Sequence, residues 1–229
     1  VYEIEVPDVA EKRIRICSID LGTENLVTMV NNVGLQPVVI KGGTIKSVNQ
    51  FYNKRKAEMQ SQLKKETGKD WSKKLQKITD KRYEKIKYLM HCASKKVVDY
   101  CVENRIDTLI IGLNKKWKQE NKNKQNFTYI PFDMLVKQIQ SKCEEYGIEV
   151  VMTEEAYTSG TSFLDKESPV KENYNKERRV HRGLFIANNG KTINADVNGA
   201  YQIMKKVIPE AFSKGIEGAG SHPIRLEIA

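Results

Sequence analysis

Long apolar runs are missing from this sequence. None approaches the ~20 residues that a membrane-spanning helix needs, although 39% of the 229 residues are hydrophobic. No secretory or transit segment opens the chain. We therefore expect a soluble intracellular protein with no membrane partner. Its length is typical of one main domain that carries an insertion.

Cysteine is scarce, and no two cysteines form a pair. The four present, Cys17, Cys92, Cys101 and Cys143, make no C-x-x-C motif and lie in apolar or amphipathic contexts. Isolated thiols of this kind are usually small buried hydrophobes, and their spacing matches none of the common zinc sites. The sequence thus predicts a reduced compartment and no zinc.

Acidic residues are outnumbered by basic ones. Lys and Arg total 39 against 29 Asp and Glu, a net charge of +10, which favours a polyanionic partner. The segment 53–87 holds 13 basic and 5 acidic residues, so most of the excess lies there. Such a run is either a solvated helix face or a surface that contacts phosphates.

Apolar periodicity predicts an α/β order of elements. We expect a meander of three strands, a helical hairpin broken near Gly68, and then alternating strands and helices that build one mixed sheet flanked by helices. A long loop that is either functional or mobile follows the last long strand, and the segment after Gly215 should be extended. The predicted strands are 14–22, 25–30, 37–42, 107–113, 148–153 and 183–188; the helices are 45–66, 73–104, 131–147 and 194–208; and the loops are 115–126 and 157–182.

Three acids from distant segments lie at the ends of these elements. Asp20 ends the first strand, Glu155 follows a later one, and Asp196 lies in the first turn of the last helix. Each also has a simple structural explanation. This is a turn with Gly22 for Asp20, exposure to solvent at a strand end for Glu155, and a favourable interaction with the helix dipole for Asp196. Together they offer the hard oxygen ligands that hold two Mg²⁺ ions in phosphodiester hydrolysis.

Five motifs resemble one known family. SIDLGTENL and INADVNGAYQI are similar to the first and third RuvC motifs of TnpB (OrfB-type) proteins of insertion sequences, and TLIIGLNKKWKQ, QNFTYIPFDMLVKQIQSKCEEYGI and EEAYTSGTSFLD are similar to blocks between them. The resemblance implies an RNase H-like (RuvC) fold. It also implies RNA-guided cleavage of double-stranded DNA, Mg²⁺ as cofactor with Mn²⁺ as a substitute, and a prokaryotic cytoplasm with the protein associated with the nucleoid.

The second catalytic acid departs from the common pattern of this family. Many members carry it at the end of the strand that here reads TLIIGL, where this sequence has Gly112. In Fanzor-like members this acid is instead a glutamate three residues before the Thr-Ser block. The present sequence resembles that arrangement, which assigns the role to Glu155. The predicted metal ligands are therefore Asp20, Glu155 and Asp196. Asn194 and Asn198 either orient these carboxylates or cap the helix.

The zinc ribbon of the family is the second departure. Positions aligned with its cysteines hold Ser162, Asp165, Ile186 and Asn189, so we expect a zinc-less ribbon-like loop at 157–190, held by the packing of apolar side chains such as Phe163 and Phe185. Basic residues of this loop and of the hairpin are the predicted nucleic-acid contacts, with solvation as the alternative. They are Lys54, Arg55, Lys56, Lys64, Lys65, Lys73, Lys74, Arg178, Arg179 and Arg182.

The resemblance divides the chain into parts. Residues 1–43 and 105–210 would form the nuclease core, 44–104 the basic hairpin insertion and 211–229 an extended tail. Because the chain begins with Val1, we expect it to be the carboxyl-terminal part of a longer protein, with weak activity alone. Two other functions stay open: a nuclease-inactive, RNA-guided DNA-binding repressor, and an unguided RNase H-like nuclease.

Overall fold

The computed structural model describes residues 15–114, 129–181, 183–212 and 223–228. The predicted loop at 115–126 and Arg182 lie outside these residues. Within them, the strands are β1 (Ile16–Leu21), β2 (Asn25–Asn31), β3 (Val38–Lys41), β4 (Thr108–Leu113), β5 (Glu149–Glu154), β6 (Phe185–Ile186), β7 (Thr192–Ile193) and β8 (Ile224–Leu226). The α-helices are α1 (Gly43–Thr67), α2 (Lys73–Glu103), α3 (Phe132–Glu145) and α4 (Ala195–Val207).

Six strands form one mixed sheet in the order β5-β4-β1-β2-β3-β8. The β1-β2 and β2-β3 pairs are antiparallel, as a meander requires, whereas β1-β4, β4-β5 and β3-β8 are parallel. The carboxyl ends of β1, β4 and β5 therefore meet at one edge. The predicted mixed sheet flanked by helices is confirmed.

The two faces of the sheet are covered by different helices. Alternate strand residues such as Ile19 and Ile111 join a core cluster with α1, α2 and α3. Other strand residues, such as Val30 and Ile110, face the opposite side of the sheet and join a second cluster with α4. The strands are apolar on both faces because both faces are covered.

Helices α1 and α2 form the predicted hairpin. Gly68 ends α1 in the left-handed conformation, with φ 70°, and the Ser72 hydroxyl accepts a hydrogen bond from the Leu75 backbone N–H at the start of α2. The buried residues of α1 lie only in its first half, at Ile45, Asn49 and Tyr52. The rest of α1 is polar and projects from the core.

The end of the chain departs from the predicted extended tail. Residues 213–222 and 229 lie outside the described residues, but Ile224–Leu226 form β8, which adds to the sheet edge beside β3. The sequence prediction treated β8 as part of a tail because its three residues are too few to show an alternating pattern.

The ribbon-like loop contains β6 and β7, which pair as an antiparallel hairpin separate from the main sheet. The strand prediction at 183–188 is confirmed, but β7 was missed because it has only two residues. Phe163 stacks on Tyr201 of α4 at 4.3 Å between ring centroids, and Phe185 is fully buried. Aromatic packing therefore fastens this loop to α4.

Glu167 joins the parts of the loop through polar contacts. Its carboxylate accepts hydrogen bonds from the Ser162 backbone N–H at 2.8 Å and from Arg178 Nη1 at 2.6 Å. Asn188 Nδ2 donates to the other oxygen at 3.3 Å, and Lys205 Nζ of α4 donates to the Glu167 carbonyl at 3.0 Å. Glu167 and Arg178 are both largely buried, so this ion pair is better protected than a surface pair.

No helix among the described residues combines the length and the apolar character needed to cross a membrane.

We predict that Glu167→Gln destabilises the protein by about 1–3 kcal/mol, because it leaves the largely buried Arg178 without a charged partner. Urea unfolding at neutral pH measures the change. Glu58→Gln, which removes an exposed pair with Arg55, is the control and should cost less than about 0.5 kcal/mol.

The same variant should show a pH dependence. Burial raises the pKa of Glu167, but the hydrogen bonds from Arg178 and Ser162 outweigh it and hold the pKa below the ordinary 4.5. A depressed pKa contributes stability above pH 4.5 that is lost as pH falls through the folded value. The difference in the free energy of unfolding between wild type and variant should therefore be largest near neutral pH and shrink in acid. A difference that stays constant with pH would contradict the ion-pair explanation.

Candidate active site

The three predicted acids lie around one pocket. Asp20 comes from β1, Glu155 from the residue after β5, and Asp196 from the first turn of α4. The cavity measures about 220 Å³. Its other polar lining residues are Thr23, Glu24, Asn25, Thr28, Thr158, Ser159 and Arg179. Residues separated by up to 176 positions in the sequence are thus brought to one edge of the sheet.

Asp20 lies in β1 opposite Thr28 of β2, with its side chain toward α4. A Cβ atom at Gly199 of α4 would stand 2.9 Å from Asp20 Oδ2, so only glycine leaves room for this carboxylate. Burial, followed by the nearby charges of Glu155 and Asp196, raises the pKa of Asp20 well above 3.8. Arg179 partly offsets this increase. Asp20 is therefore the acid that most needs a compensating cation.

Glu155 is held by the backbone at the end of β5. Its N–H donates to the Leu113 carbonyl at 3.2 Å, and its carbonyl accepts the Thr158 hydroxyl at 2.7 Å. Burial raises the pKa of its carboxyl group, and a hydrogen bond with the Asn114 side chain partly opposes that increase. Oε2 is buried and has no hydrogen-bond partner among the described residues. Such an oxygen is costly unless it binds a ligand.

Glu154 is placed differently from its neighbour. It is the last residue of β5 and is exposed, whereas Glu155 is largely buried and lines the pocket. Adjacent residues of an extended chain point to opposite sides. The structure brings Glu155, and not Glu154, together with Asp20 and Asp196.

Both carboxylate oxygens of Asp196 accept hydrogen bonds from protein side chains. Arg179 Nη2 donates to Oδ1 at 2.7 Å, and Asn25 Nδ2 donates to Oδ2 at 2.7 Å. Lys41 Nζ in turn donates to Asn25 Oδ1 at 3.0 Å. Two cationic side chains therefore neutralise this corner of the pocket.

The two predicted asparagines have structural contacts. Asn194 Oδ1 accepts the backbone N–H groups of Asp196 and Val197 at 3.0 and 3.1 Å, so it caps α4. Asn198 is buried, and its side chain bonds the backbone of Phe163 and Thr161 at 2.9 and 2.8 Å. Asn194 thus sets where α4 begins beside Asp196, and Asn198 ties the ribbon-like loop to α4.

A side chain at position 112 would meet Ile203. Gly112 of β4 pairs with Thr153, and a Cβ atom there would stand 2.4 Å from Ile203 Cδ1 of α4. The end of the Ile203 side chain would have to move to admit a larger residue. The glycine is therefore matched to the close approach of α4 to the sheet.

The predicted nucleic-acid contacts fall into separate regions. Arg179 lies in the pocket with Asp196, and Arg178 is committed to Glu167. The other described members of the set lie on the hairpin, where all but the half-buried Lys56 are exposed. Arg55 and Lys64 make exposed pairs with Glu58 and Asp70. The structure thus separates the hairpin basics from the pocket.

Sequence reasoning missed several pocket residues. Asn25, Thr158 and Gly199 contact the acids or shape their space, as described above. Gly199 offered a signal, since it follows Asp196 by three residues and so lies on the same side of the helix. Asn25 offered none, because its contact with Asp196 joins residues 171 positions apart.

The pocket has oxygen donors of the kind that Mg²⁺ prefers, and the buried Glu155 Oε2 fits a cation site. The described side chains include no group of three or more His, Cys, Asp or Glu already arranged to hold a metal ion. The contacts of Asp196 with Arg179 and Asn25 are one reason, since they direct its oxygens to protein donors. The residues therefore fit a divalent cation once Asp196 is released from Arg179.

Comparison with known families gives two matches. The family described as "Probable transposase" (OrfB_IS605) matches residues 1–118, and the Cas12f1-like TNB domain matches residues 132–203. The chain is also similar to a TnpB-like protein, ORF457, of Acidianus two-tailed virus, with 25% identity over 201 residues. That match covers 85% of this chain and 42% of the viral protein.

Two solved structures share the fold. A cryo-EM structure of a Cas12f1–sgRNA–target DNA complex matches 85% of this chain and 50% of its own, with a TM-score of 0.62 and 20% identity. A CRISPR-Cas12f ternary complex matches 88% of this chain and 41% of its own, with a TM-score of 0.64 and 18% identity. These likenesses confirm the predicted RNase H-like fold. The chain spans half or less of the length of these relatives.

We predict that Asp20→Asn stabilises the metal-free protein at neutral pH. A carboxyl group whose folded pKa is raised costs stability as pH rises above its unfolded value of 3.8, and the amide removes that cost. A change of about 1 kcal/mol would raise Tm by about 2–4 °C in a chain of this size. Differential scanning calorimetry in EDTA measures it, with the exposed Glu154→Gln as control.

The gain should shrink as pH falls from the raised folded pKa and disappear well below pH 3.8, where the wild-type carboxyl group is protonated in both states. Added Mg²⁺ should raise the Tm of wild type more than that of Asp20→Asn. An equal response of the two proteins to Mg²⁺ would remove Asp20 from the cation site.

Proposed function

Because this chain belongs to the OrfB_IS605 family of probable transposases, we propose that it is the RuvC-like nuclease core of a transposon-encoded, RNA-guided DNA endonuclease. The observation that carries the proposal is the pocket itself, where three carboxylates from β1, β5 and α4 converge and one buried oxygen of Glu155 lacks a partner. Most substrates and partners of such a protein would be held by parts outside this chain, since the relatives are about twice as long.

The three acids together form the proposed metal site. Asp20, Glu155 and Asp196 would hold two Mg²⁺ ions, for which Mn²⁺ substitutes; when bound, these ions supply an activated water and stabilise negative charge on the scissile phosphate. The buried Glu155 is fixed by the Leu113 carbonyl and Thr158, so its carboxylate needs little reorganisation. Asp196 lies in the first turn of α4, at the positive end of the helix dipole.

Arg179 balances the charge of the pocket before metal binds. It donates to Asp196 Oδ1 and offsets the effect of burial on Asp20. Its guanidinium is about one-third exposed at the pocket rim. After it releases Asp196, it would contact a phosphate of the DNA strand.

The proposed partners are a guide RNA and a double-stranded DNA target, in the cytoplasm of a prokaryote. One of the similar structures is a complex with an sgRNA and target DNA, and the basic hairpin would supply this chain with a surface for a polyanion. Target sequence would be read by base pairing with the guide, as in related effectors. The hairpin would therefore contact RNA phosphates without selecting sequence.

A second candidate function is an RNA-guided DNA-binding repressor that does not cut. It is favoured by the engagement of both Asp196 oxygens with Arg179 and Asn25, because a site kept in that state binds no metal. The cleavage experiment below separates the two candidates.

We predict that the whole protein containing this chain, loaded with its native noncoding RNA, cuts a matched DNA duplex in Mg²⁺. Glu155→Gln should reduce the cleavage rate by more than the ~100-fold loss expected when only a partner of a metal ligand is removed. Glu154→Gln, one residue away and exposed, should cut at the wild-type rate. Guided DNA binding, measured by gel shift, should be unchanged in both variants.

Retained cleavage in Glu155→Gln would show that another residue supplies the second acid. Tight guided binding by wild type without any cleavage would establish the repressor.

We predict that the hairpin contributes to RNA affinity through charge. Lys65→Glu should weaken binding of the noncoding RNA and reduce the slope of log K against log salt by about 1, as expected when one phosphate contact is lost. Lys137→Glu, an equal change on the exposed side of α3, is the control. Filter binding from 50 to 200 mM salt measures both, and equal slopes in the two variants would favour an unguided nuclease.

A further inference from the structure

A second cavity lies on the hairpin, away from the acidic pocket. It measures about 380 Å³ and lies between α1 and α2. Its walls are mostly apolar, with Val48, Phe51 and Ile78 among them, and Arg55, Lys81 and Lys85 also line it. The volume is within the range of small-ligand sites.

Phe51 is the most unusual residue of this cavity. Its side chain is 76% exposed, although aromatic rings contribute most when they are buried. It lies one position before the buried Tyr52 on α1 and so points away from the core. An exposed ring beside an apolar cavity is typical of a surface that stacks on a partner.

Arg82 contributes a hydrogen-bond donor, Nε, that no acceptor among the described residues pairs with. Its guanidinium lies over the Tyr52 ring at 4.1 Å and near the Tyr129 ring at 5.3 Å. Its Nε is buried and has no hydrogen-bond partner among the described residues. A buried unpaired donor costs free energy that a bound acceptor would recover. Since Arg82 also lines the cavity, a ligand with acceptor atoms is indicated.

The charges of the cavity select the ligand class. Four cationic side chains line it and no acidic one does. A nucleotide meets all three requirements: a flat π-face for Phe51, acceptor atoms for Arg82, and phosphates for Arg55, Lys81 and Lys85. An acidic peptide would satisfy the charges but has no flat face with edge acceptors.

The position of the cavity favours RNA over the cleaved DNA strand. It shares no lining residue with the acidic pocket. Helices α1 and α2 cover one face of the sheet, and α4, which carries Asp196, covers the other. A strand held here would lie on the face of the sheet opposite to α4, which favours a strand other than the one whose phosphate enters the acidic pocket.

We propose that the cavity between α1 and α2 binds one unpaired nucleobase of the bound RNA, stacked on Phe51. Arg82 hydrogen-bonds the edge of the base, and Arg55, Lys81 and Lys85 contact the flanking phosphates. The identity of the strand as RNA rests on the proposed function. The cavity thereby recognises an unpaired nucleotide and excludes duplex RNA, whose stacked bases cannot enter.

The test measures binding of a fluorescein-labelled RNA that has a hairpin stem and a single-stranded tail of about eight nucleotides, close to one strand-binding site. Two further probes are the same RNA with an abasic tail and a fully duplex RNA of equal charge. Phe51→Ala is compared with wild type and with Tyr83→Ala, which removes another exposed hairpin aromatic that does not line the cavity. Circular dichroism confirms that each variant is folded.

Wild type should prefer the tailed RNA to both other probes. Phe51→Ala should lose about 5- to 100-fold in affinity for the tailed RNA, the range for one base stacked on an aromatic ring, with its salt slope unchanged. The variant should bind abasic RNA as wild type does, and Tyr83→Ala should keep the full preference.

Equal affinity of wild type for tailed and abasic RNA would overturn the proposal, as would equal losses in Phe51→Ala and Tyr83→Ala. An unaffected Phe51→Ala would point to another occupant, such as an acidic peptide. In each of these cases cleavage in the full complex still decides the proposed function. If a DNA tail with the same sequence binds more tightly than RNA, the assignment to the RNA strand is wrong.

Discussion

The close approach of α4 to the sheet is the constraint on which the rest of this structure depends. Gly199 lets the helix lie against the Asp20 carboxylate, and Gly112 lets Ile203 lie against β4. The buried Ser18 hydroxyl of β1 fastens the same helix by donating to the Ala200 carbonyl at 2.7 Å. Because side chains are excluded at both glycines, the helix can bring Asp196 to the edge where β1 and β5 end.

This packing also bears on the position of the proposed second acid. A side chain at position 112 of β4 would meet the end of the Ile203 side chain, whereas the end of the neighbouring strand β5 lies at the pocket with Asp20. Glu155 occupies it, with its backbone tied to Leu113 of β4. The cost of burying its unpartnered oxygen supports the proposed binding site more strongly than the composition of the pocket does.

Charge is distributed so that the acidic pocket and the basic surface do not interfere. The carboxylates converge beside α4, and Arg179, Lys41 and Lys46 are among the cations next to them. The hairpin carries most of the excess positive charge on the opposite face.

The sequence by itself determined the elements. Apolar alternation located the strands of the meander, a helical period located α2, and Gly68 marked the hairpin turn. It also placed Asp20, Glu155 and Asp196 at the ends of elements, because an acid after a buried strand or at a helix start is visible in the chain itself. The sequence analysis missed β7 and β8, because two or three residues are too few to show an apolar period.

Only the tertiary structure decided which of these residues meet. It paired Arg179 with Asp196, placed Ile203 beside Gly112, and made Glu167 the centre of the ribbon-like loop. The physical reason is that periodicity and capping are local properties of a few consecutive residues. Burial, close packing and charge pairing depend on segments that are far apart in the sequence and become neighbours only when the sheet and α4 assemble.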